Sequence, residues 1–169
     1  MELPAVEPLL QQLTESLRQR LATEAITDPR MVGIHTGGAW IARYLHQQLA
    51  LTQPLGTLDI SFYRDDFSQI GMHPQVKPSH LPFDVDGHTI VLVDDVLHTG
   101  RTIRAALNEL FDYGRPAAVL LLVLVDRGGR ELPIQADIHA VQLDPGVGYH
   151  LKLLGPEPLR LALQAGQSS

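Results

Sequence analysis

The sequence predicts an α/β protein with a mostly parallel, twisted sheet flanked by helices. Met31 to Ile34, Ile90 to Val93 and Ala118 to Val125 are short apolar runs without alternation, as expected of strands buried on both faces. The first two of these runs lead through a turn of small and polar residues into a segment of helical period. Strands that alternate with helices in this way close as a parallel sheet with right-handed crossovers.

The elements follow in order. Val6, Leu9, Leu10, Leu13, Leu17 and Leu21 share one helical face, giving an amphipathic N-terminal helix that Thr27-Asp28-Pro29 breaks. Its apolar face has no evident partner, which favours a homodimer or higher homo-oligomer. After the Met31 to Ile34 strand comes the turn His35-Thr36-Gly37-Gly38, then a helix from Ala39 to Leu51 with Ile41, Ala42, Leu45 and Leu49 in phase. Thr57 to Tyr63 alternates, Leu58, Ile60 and Phe62 against Asp59, Ser61 and Tyr63, and reads as a half-buried strand. Arg64 to Gly87 is polar, punctuated by Gly71, Pro74, Pro78 and Pro82, and far longer than the usual connection of about 4–6 residues. Such a segment is a lid, a hairpin or disorder.

Ile90 to Val93 then ends in Asp94 and Asp95, with Asp95 expected as an exposed strand-end carboxylate. After Thr99-Gly100-Arg101-Thr102, a helix from Ile103 aligns Ala106, Leu107, Leu110 and Phe111 and stops at Gly114. Ala118 to Val125 is the next strand and Ile138 to Leu143 an alternating one. Val147 to Leu154 reads as an edge strand and Glu157 to Ala165 as a short closing helix.

At 169 residues the chain has room for one domain with a sizeable core, so residues 1–169 are expected to form a single domain. An apolar fraction of 44% and a charged fraction of 19% suit a soluble globular protein. No apolar run approaches the roughly 20 residues of a membrane span, and Met1-Glu2-Leu3-Pro4 lacks the basic and apolar blocks of a signal peptide. With no cysteine, disulfides and thiolate metal sites are excluded, and the expected location is cytoplasmic, with no membrane partner. A net charge of −6 argues against broad nucleic-acid binding and leaves room for a local basic face. Apart from Lys77 and Lys152 the cations are arginines, the side chain suited to bidentate phosphate recognition.

The chemistry concentrates around Asp94 to Thr102. The turn lies at the carboxyl end of a strand and the amino end of a helix, where open α/β sheets bind ligands. Backbone N–H groups there, with the Thr99 and Thr102 hydroxyls, suit a phosphate. Asp94 and Asp95 suit diol hydroxyls or a magnesium ion, so the combination describes a ribose phosphate. A strand ending in surface aspartates before an ordinary capped helix explains less, since a cap needs one Ser, Thr or Asp. Neither G-x-x-x-x-G-K-[ST] nor G-x-G-x-x-G is present.

The run Val93-Asp94-Asp95-Val96-Leu97-His98-Thr99-Gly100-Arg101-Thr102 resembles the PRPP-binding motif of type I phosphoribosyltransferases. Together with Tyr63-Arg64-Asp65-Asp66 and Val125-Asp126-Arg127-Gly128-Gly129-Arg130-Glu131-Leu132-Pro133-Ile134, it is similar to the PyrR family of pyrimidine-operon regulators that are also uracil phosphoribosyltransferases. The resemblance covers about residues 30 to 145. It implies the type I phosphoribosyltransferase fold with a flexible hairpin lid and a small hood, and the reaction of uracil with PRPP to UMP and pyrophosphate. It also implies UMP-responsive binding to an mRNA leader.

By this resemblance Asp94, Asp95 and Arg64 are the catalytic candidates. Val96, Leu97, His98, Thr99, Gly100, Arg101 and Thr102 would hold PRPP with Thr36, Gly37 and Gly38. Val125, Asp126, Arg127 and Ile134 would meet uracil, more by position than by side chain. Arg115, Arg127 and Arg130 are the RNA candidates. The implied cofactor is Mg2+, carried by PRPP, with Asp65, Asp66 and Asp94 as candidate contacts. The lid, with Arg64 on the leaving group, would exclude water from an oxocarbenium-like transition state.

The chain departs from the family at His35, which stands where the Lys-Thr-Arg-Gly loop has Lys, and at two glycines. Gly37 stands where the family's Lys-Thr-Arg-Gly loop has Arg, so pyrophosphate is expected to rely on backbone and on Arg64. Gly129 stands where the family has His. His98 could assist proton removal from uracil; a packing or solvated role is the reading preferred here. The other histidines, His73, His80 and His88 among them, show no metal-ligand spacing. Two further readings share the motif: an RNA-binding regulator with a nucleotide effector and little catalysis, and a purine phosphoribosyltransferase. Composition alone leaves the Asp126 to Ile134 segment open as an Arg-rich surface loop pinned by ion pairs of Asp126 and Glu131.

Overall fold

In a computed structural model, residues 1–60 and 79–166 are described. The elements are α1 (Val6–Thr23), β1 (Arg30–Ile34), α2 (Gly37–Gln48), β2 (Gly56–Leu58), β3 (Thr89–Leu97), α3 (Arg101–Asp112), β4 (Ala118–Asp126), β5 (Ile138–Gln142), β6 (Tyr149–Leu154) and β7 (Arg160–Ala165). Strands β1 to β5 form one sheet in the order β2-β1-β3-β4-β5, with every neighbouring pair parallel. Strands β6 and β7 pair antiparallel as a separate hairpin.

The unbroken apolar runs become strands covered on both faces, and the core divides accordingly. On one side Leu9, Leu10, Leu13 and Leu17 of α1 and Ile41, Ala42 and Leu45 of α2 pack with Val91, Val93, Leu122 and Leu124 of the sheet. On the other, Ile103, Ala106 and Leu110 of α3 pack with Ile90, Leu92, Leu121 and Val123. Alternate residues of β3 and β4 thus serve opposite layers, as the period of two requires. Among the described residues no helix is long and apolar enough to cross a membrane.

Several expectations need correction. The apolar face of α1 is buried inside its own chain, with Leu13 and Leu17 wholly covered, so it offers no argument for self-association. Strand β3 does not end at the aspartates: Asp94 pairs with Val123, Val96 with Val125 and Leu97 with Asp126. The carboxylates interrupt the apolar run without interrupting the ladder, because the ladder is made by backbone groups. Asp94 is consequently only 5% exposed. Helices α2 and α3 start two residues earlier than their apolar periodicity, at Gly37 and Arg101. Phe111 is 53% exposed, while Ala105 is buried beside Ala106.

The C-terminal segment is a strand, not a helix. Leu159, Ala162 and Leu163 fit a helical stripe, but Leu159, Leu161 and Leu163 fit alternation equally well, and a run this short cannot separate the two periods. Pairing decides it: Leu161 faces Leu153 across the hairpin and both are buried in the α1 and α2 layer. The segment expected as an edge strand of the main sheet is therefore β6 of this hairpin. The strand expected from Thr57 to Tyr63 is shorter, with β2 ending at Leu58, although Asp59 and Ile60 stay buried. Its remainder lies outside the described residues, as do most of the expected lid and the candidates Arg64, Asp65 and Asp66.

Candidate functional site

The strand order determines where a crevice opens. From β1 the chain moves outward to β2, and from β3 it moves the other way to β4 and β5, so the order reverses between β1 and β3. Consistently, α2 lies on one face and α3 on the other. In open α/β sheets the crevice beyond the carboxyl ends of such a pair is the ligand site. The loops that meet there are His35 to Gly38 after β1 and Asp94 to Thr102 around the end of β3.

These loops are in contact. Gly37 and Gly38 are buried, and a Cβ on Gly37 would come within 2.9 Å of the Asp95 carboxyl carbon. A Cβ on Gly38 would come within 2.9 Å of Asp94 Cα and closer still to the Val93 carbonyl oxygen. The two glycines are small because β3 occupies the space their side chains would need. The carboxylates are oriented by neighbouring amides: Asp95 N donates to Asp94 Oδ1 at 2.9 Å, and Val96 N to Asp95 Oδ1 at 2.8 Å. The two carboxylates therefore lie side by side at the crevice floor, Asp94 buried and Asp95 half-buried.

The turn after β3 is shaped by Gly100, whose φ of 95° is left-handed. Thr99 Oγ1 accepts from Arg101 N at 3.2 Å, which leaves the Thr99 hydroxyl hydrogen to donate elsewhere. Gly100 at the N-cap has no side chain with which to cap α3, and beyond the Arg101 amide held by Thr99 the first-turn N–H groups have no acceptor within the helix. This is an anion-binding arrangement beside two carboxylates.

A second loop completes the wall. Arg127 N donates to the Leu97 carbonyl at 2.8 Å and Glu131 N to the Thr99 carbonyl at 2.9 Å, so the segment after β4 is laid along the turn after β3. Ile134 packs on Gly100, 3.3 Å from where a Cβ there would stand. Arg101 Nε and Glu131 Oε1 are 3.5 Å apart on the exposed rim. Glu131 thus pairs across to the turn and not within its own loop. Asp126 pins the loop by accepting from Gly128 N at 2.9 Å, a local Asx turn and not an ion pair. The sequence signal for that turn was Asp126-Arg127-Gly128, an Asp two residues before a glycine. Nothing in the sequence pointed to the Leu97 and Thr99 carbonyls as acceptors, because backbone partners leave no side-chain trace.

The structure brings Asp94 to Thr102, Thr36 to Gly38, Val125 to Arg127 and Ile134 to one end of the sheet. It sets Arg115 apart: that residue precedes β4, its N–H donates to Asp86 Oδ1 at 2.7 Å, and Arg127 and Arg130 follow the same strand. At about 3.3 Å per residue, β4 separates Arg115 from them by roughly 25 Å. The three arginines therefore form no common patch. Beside Arg127 a cleft of about 470 Å³ opens toward the hairpin, lined also by Val147, Tyr149, His150 and Gly166.

Comparison with known proteins fits this geometry. The chain matches the family model described as Phosphoribosyl transferase domain over residues 2–150. The Bifunctional protein PyrR of Pseudomonas aeruginosa is 58% identical over 161 residues, 95% of each chain. Its namesake from Nitrosococcus oceani is 55% identical over 161 residues, 94% of this chain and 91% of that one. Among solved structures, a hypoxanthine phosphoribosyltransferase from Staphylococcus aureus superposes with a TM-score of 0.66 at 18% identity, over 85% of this chain and 78% of that one. One from Trypanosoma cruzi, in a ternary substrates complex, gives 0.64 at 17% identity, over 83% and 78%. At such identities the solved structures bear on the fold alone.

Proposed function

The chain belongs to the PyrR family of phosphoribosyltransferases, and on that premise we propose that it joins uracil to PRPP, giving UMP and pyrophosphate. We also propose that it is a UMP-responsive regulator acting on the mRNA leader of pyrimidine biosynthesis genes. The observation that carries the enzymatic reading is the packing of Gly37 and Gly38 against Asp94 and Asp95, which joins the loops of β1 and β3 into one crevice.

In that crevice the N–H groups of Val96 to Thr102 and the Thr99 and Thr102 hydroxyls hold the 5′-phosphate. Asp94 and Asp95 take the ribose hydroxyls and stabilise the positive charge that develops at C1′. Backbone of Thr36, Gly37 and Gly38 meets the pyrophosphate, where a side chain at position 37 has no space. Uracil lies against the backbone of Val125, Asp126 and Arg127, with Ile134 behind it. The bond from C1′ to the pyrophosphate oxygen breaks as the bond to uracil N1 forms, and the N1 proton passes to the departing pyrophosphate or to solvent. No strong base is required where positioning and electrostatics carry the barrier.

Magnesium fits the donor set as an ion delivered by the substrate. Among the described residues no group of three or more His, Cys, Asp or Glu could hold a metal ion. Asp94 and Asp95 would supply carboxylate oxygens from the protein side, and the remaining oxygen ligands of a small hard cation would come from phosphates, hydroxyls and water. When bound, it neutralises charge on the departing pyrophosphate. Asp65 and Asp66, the other candidate contacts, lie outside the described residues.

The regulatory half rests on the family and on the loop after β4. Arg127 and Arg130 supply cations there, and Tyr149 and His150 in the neighbouring cleft supply rings on which unpaired bases stack. Exposed Phe111 and Tyr113 support a homo-oligomer. The purine and non-catalytic readings are not favoured, since the relatives covering nearly the whole chain carry the bifunctional name. A gel shift against the leader of the chain's own pyrimidine genes, at several salt concentrations, tests regulation. Binding that UMP strengthens and salt steeply weakens is expected; no shift would leave an enzyme alone.

A further inference from the structure

We propose that His98 is a positioning residue that clamps the loop after β4 to the phosphate turn and thereby sets the affinity for the base. The inference rests on the uracil reading given above. Its starting point is a hydrogen bond between two parts of the site that are 30 residues apart in sequence: His98 Nδ1 lies 2.9 Å from the Gly128 carbonyl oxygen. A carbonyl only accepts, so Nδ1 carries the hydrogen. The neutral Nδ1–H tautomer and the imidazolium both donate from that atom, and the bond is kept in either form.

The loop is built to receive this ring. Gly128 and Gly129 have φ of 76° and 73°, the left-handed region open to glycine at little cost. A Cβ on Gly129 would lie 3.0 Å from His98 Cε1 and 3.3 Å from Nδ1, so a side chain there would press on the imidazole. Gly128 has open space at the same position, so crowding is specific to the residue against which the ring rests. The lack of a side chain at 129 and the presence of a ring at 98 are thus one feature.

The clamp acts where other ties leave a gap. Backbone bonds fix the loop at Arg127, through the Leu97 carbonyl, and at Glu131 and Leu132, through the Thr99 carbonyl. Between these anchors to the turn runs the tip, Gly128 to Arg130, exposed and with two glycines; the bond from Gly128 N to Asp126 Oδ1 lies within the loop itself and does not join it to the turn. His98 sits between Leu97 and Thr99, so its side chain reaches the tip from the same short stretch that holds the flanks. A planar base read by the backbone of Val125 to Arg127 needs that backbone still. Loosening the tip would add conformations that binding must then remove, a cost that falls on the base and not on PRPP, whose phosphate is held by the turn's own amides.

Two variants and two readouts test this. His98→Ala deletes the donor; His98→Asn keeps an N–H at nearly the position of Nδ1. With both substrates varied, His98→Ala is expected to raise KM for uracil about three- to tenfold, the size of one net hydrogen bond. KM for PRPP should move less than twofold, kcat should fall less than uracil KM rises, and His98→Asn should restore most of the loss. Independently of activity, amide hydrogen exchange at Gly129 and Arg130 should speed up in His98→Ala and return toward wild type in His98→Asn. Unaltered exchange and unaltered uracil KM in His98→Ala would overturn the clamp. So would a fall in kcat alone with loss of the acidic limb in the pH profile, which would make His98 a proton acceptor. If the wild type forms no UMP while the exchange result holds, the uracil reading fails and the clamp itself does not.

Discussion

Gly37 lies directly against Asp95, and a Cβ on the glycine would come within 2.9 Å of that carboxyl carbon. The contact couples the loop after β1 to the acidic end of β3, so neither can be altered without moving the other. Gly37→Ala is expected to displace the loop by a few tenths of an ångström or more. Misplacement on that scale should lower kcat/KM for PRPP by roughly ten- to hundredfold, with about 1–3 kcal/mol of stability lost to overpacking. Steady-state kinetics with PRPP varied, alongside urea unfolding, check both; wild-type efficiency would separate the loop from the reaction.

The two aspartates should behave differently although they are neighbours. Asp95 is half-buried, whereas Asp94 is 5% exposed and accepts the Asp95 amide. Asp95→Asn should lower kcat by about 10²–10³, the usual size for removing one electrostatic stabiliser, with little change in Tm. Asp94→Asn places amide hydrogens where the fold supplies an acceptor's surroundings and should cost about 1–3 kcal/mol of stability as well. Equal losses of stability in the two variants would count against the burial difference.

Separation of the arginines predicts a selective effect on RNA. Arg130 stands on the loop after β4, and Arg115 before that strand. Arg130→Ala should weaken leader binding and lower the slope of log affinity against log salt by about one. Arg115→Ala should leave both as in wild type. A larger effect from Arg115 would move the RNA surface to the other end of the sheet.

Stability should depend on acid through Asp28. Its hydrogen bond from buried Arg30, 2.6 Å long, holds the carboxyl below the ordinary range, against a smaller opposing effect of desolvation. A group whose folded pKa is depressed contributes stability above its unfolded value and loses it as pH falls through the folded one. Wild type should therefore melt above Asp28→Asn at neutral pH, and the gap should close below the usual carboxylate range. Thermal melts of both proteins across that range measure it; a constant gap would show that the carboxylate charge is irrelevant.

The layered α/β architecture was legible because its strands are apolar without alternation, a pattern that depends on burial of both faces. The strand-to-helix turn at Thr99 to Thr102 was legible because a tight turn needs a glycine, and Gly100 takes a left-handed φ there. What escaped had no such trace. Asp94 sits inside a ladder made by backbone groups, so its polarity suggested an end where none exists. Strand β7 was ambiguous because Leu159, Leu161, Ala162 and Leu163 satisfy both periods, and only its partner β6 decides between them. The place of α1 in the core could not be read from its own stripe, since a stripe shows that a face is covered and not by what. The tie between His98 and Gly128 joins distant residues through a carbonyl, and the ring that rests against Gly129 is 31 residues away from it in sequence.

The central claim is that the crevice between β1 and β3 transfers phosphoribosyl to uracil. Purified protein incubated with PRPP, Mg2+ and equal concentrations of uracil, hypoxanthine and guanine tests it in one vessel, with nucleotides and pyrophosphate quantified over time. The account predicts UMP and pyrophosphate in equal amounts and no purine nucleotide at a comparable rate. Formation of IMP or GMP in preference to UMP, or pyrophosphate release without any nucleotide, would contradict it.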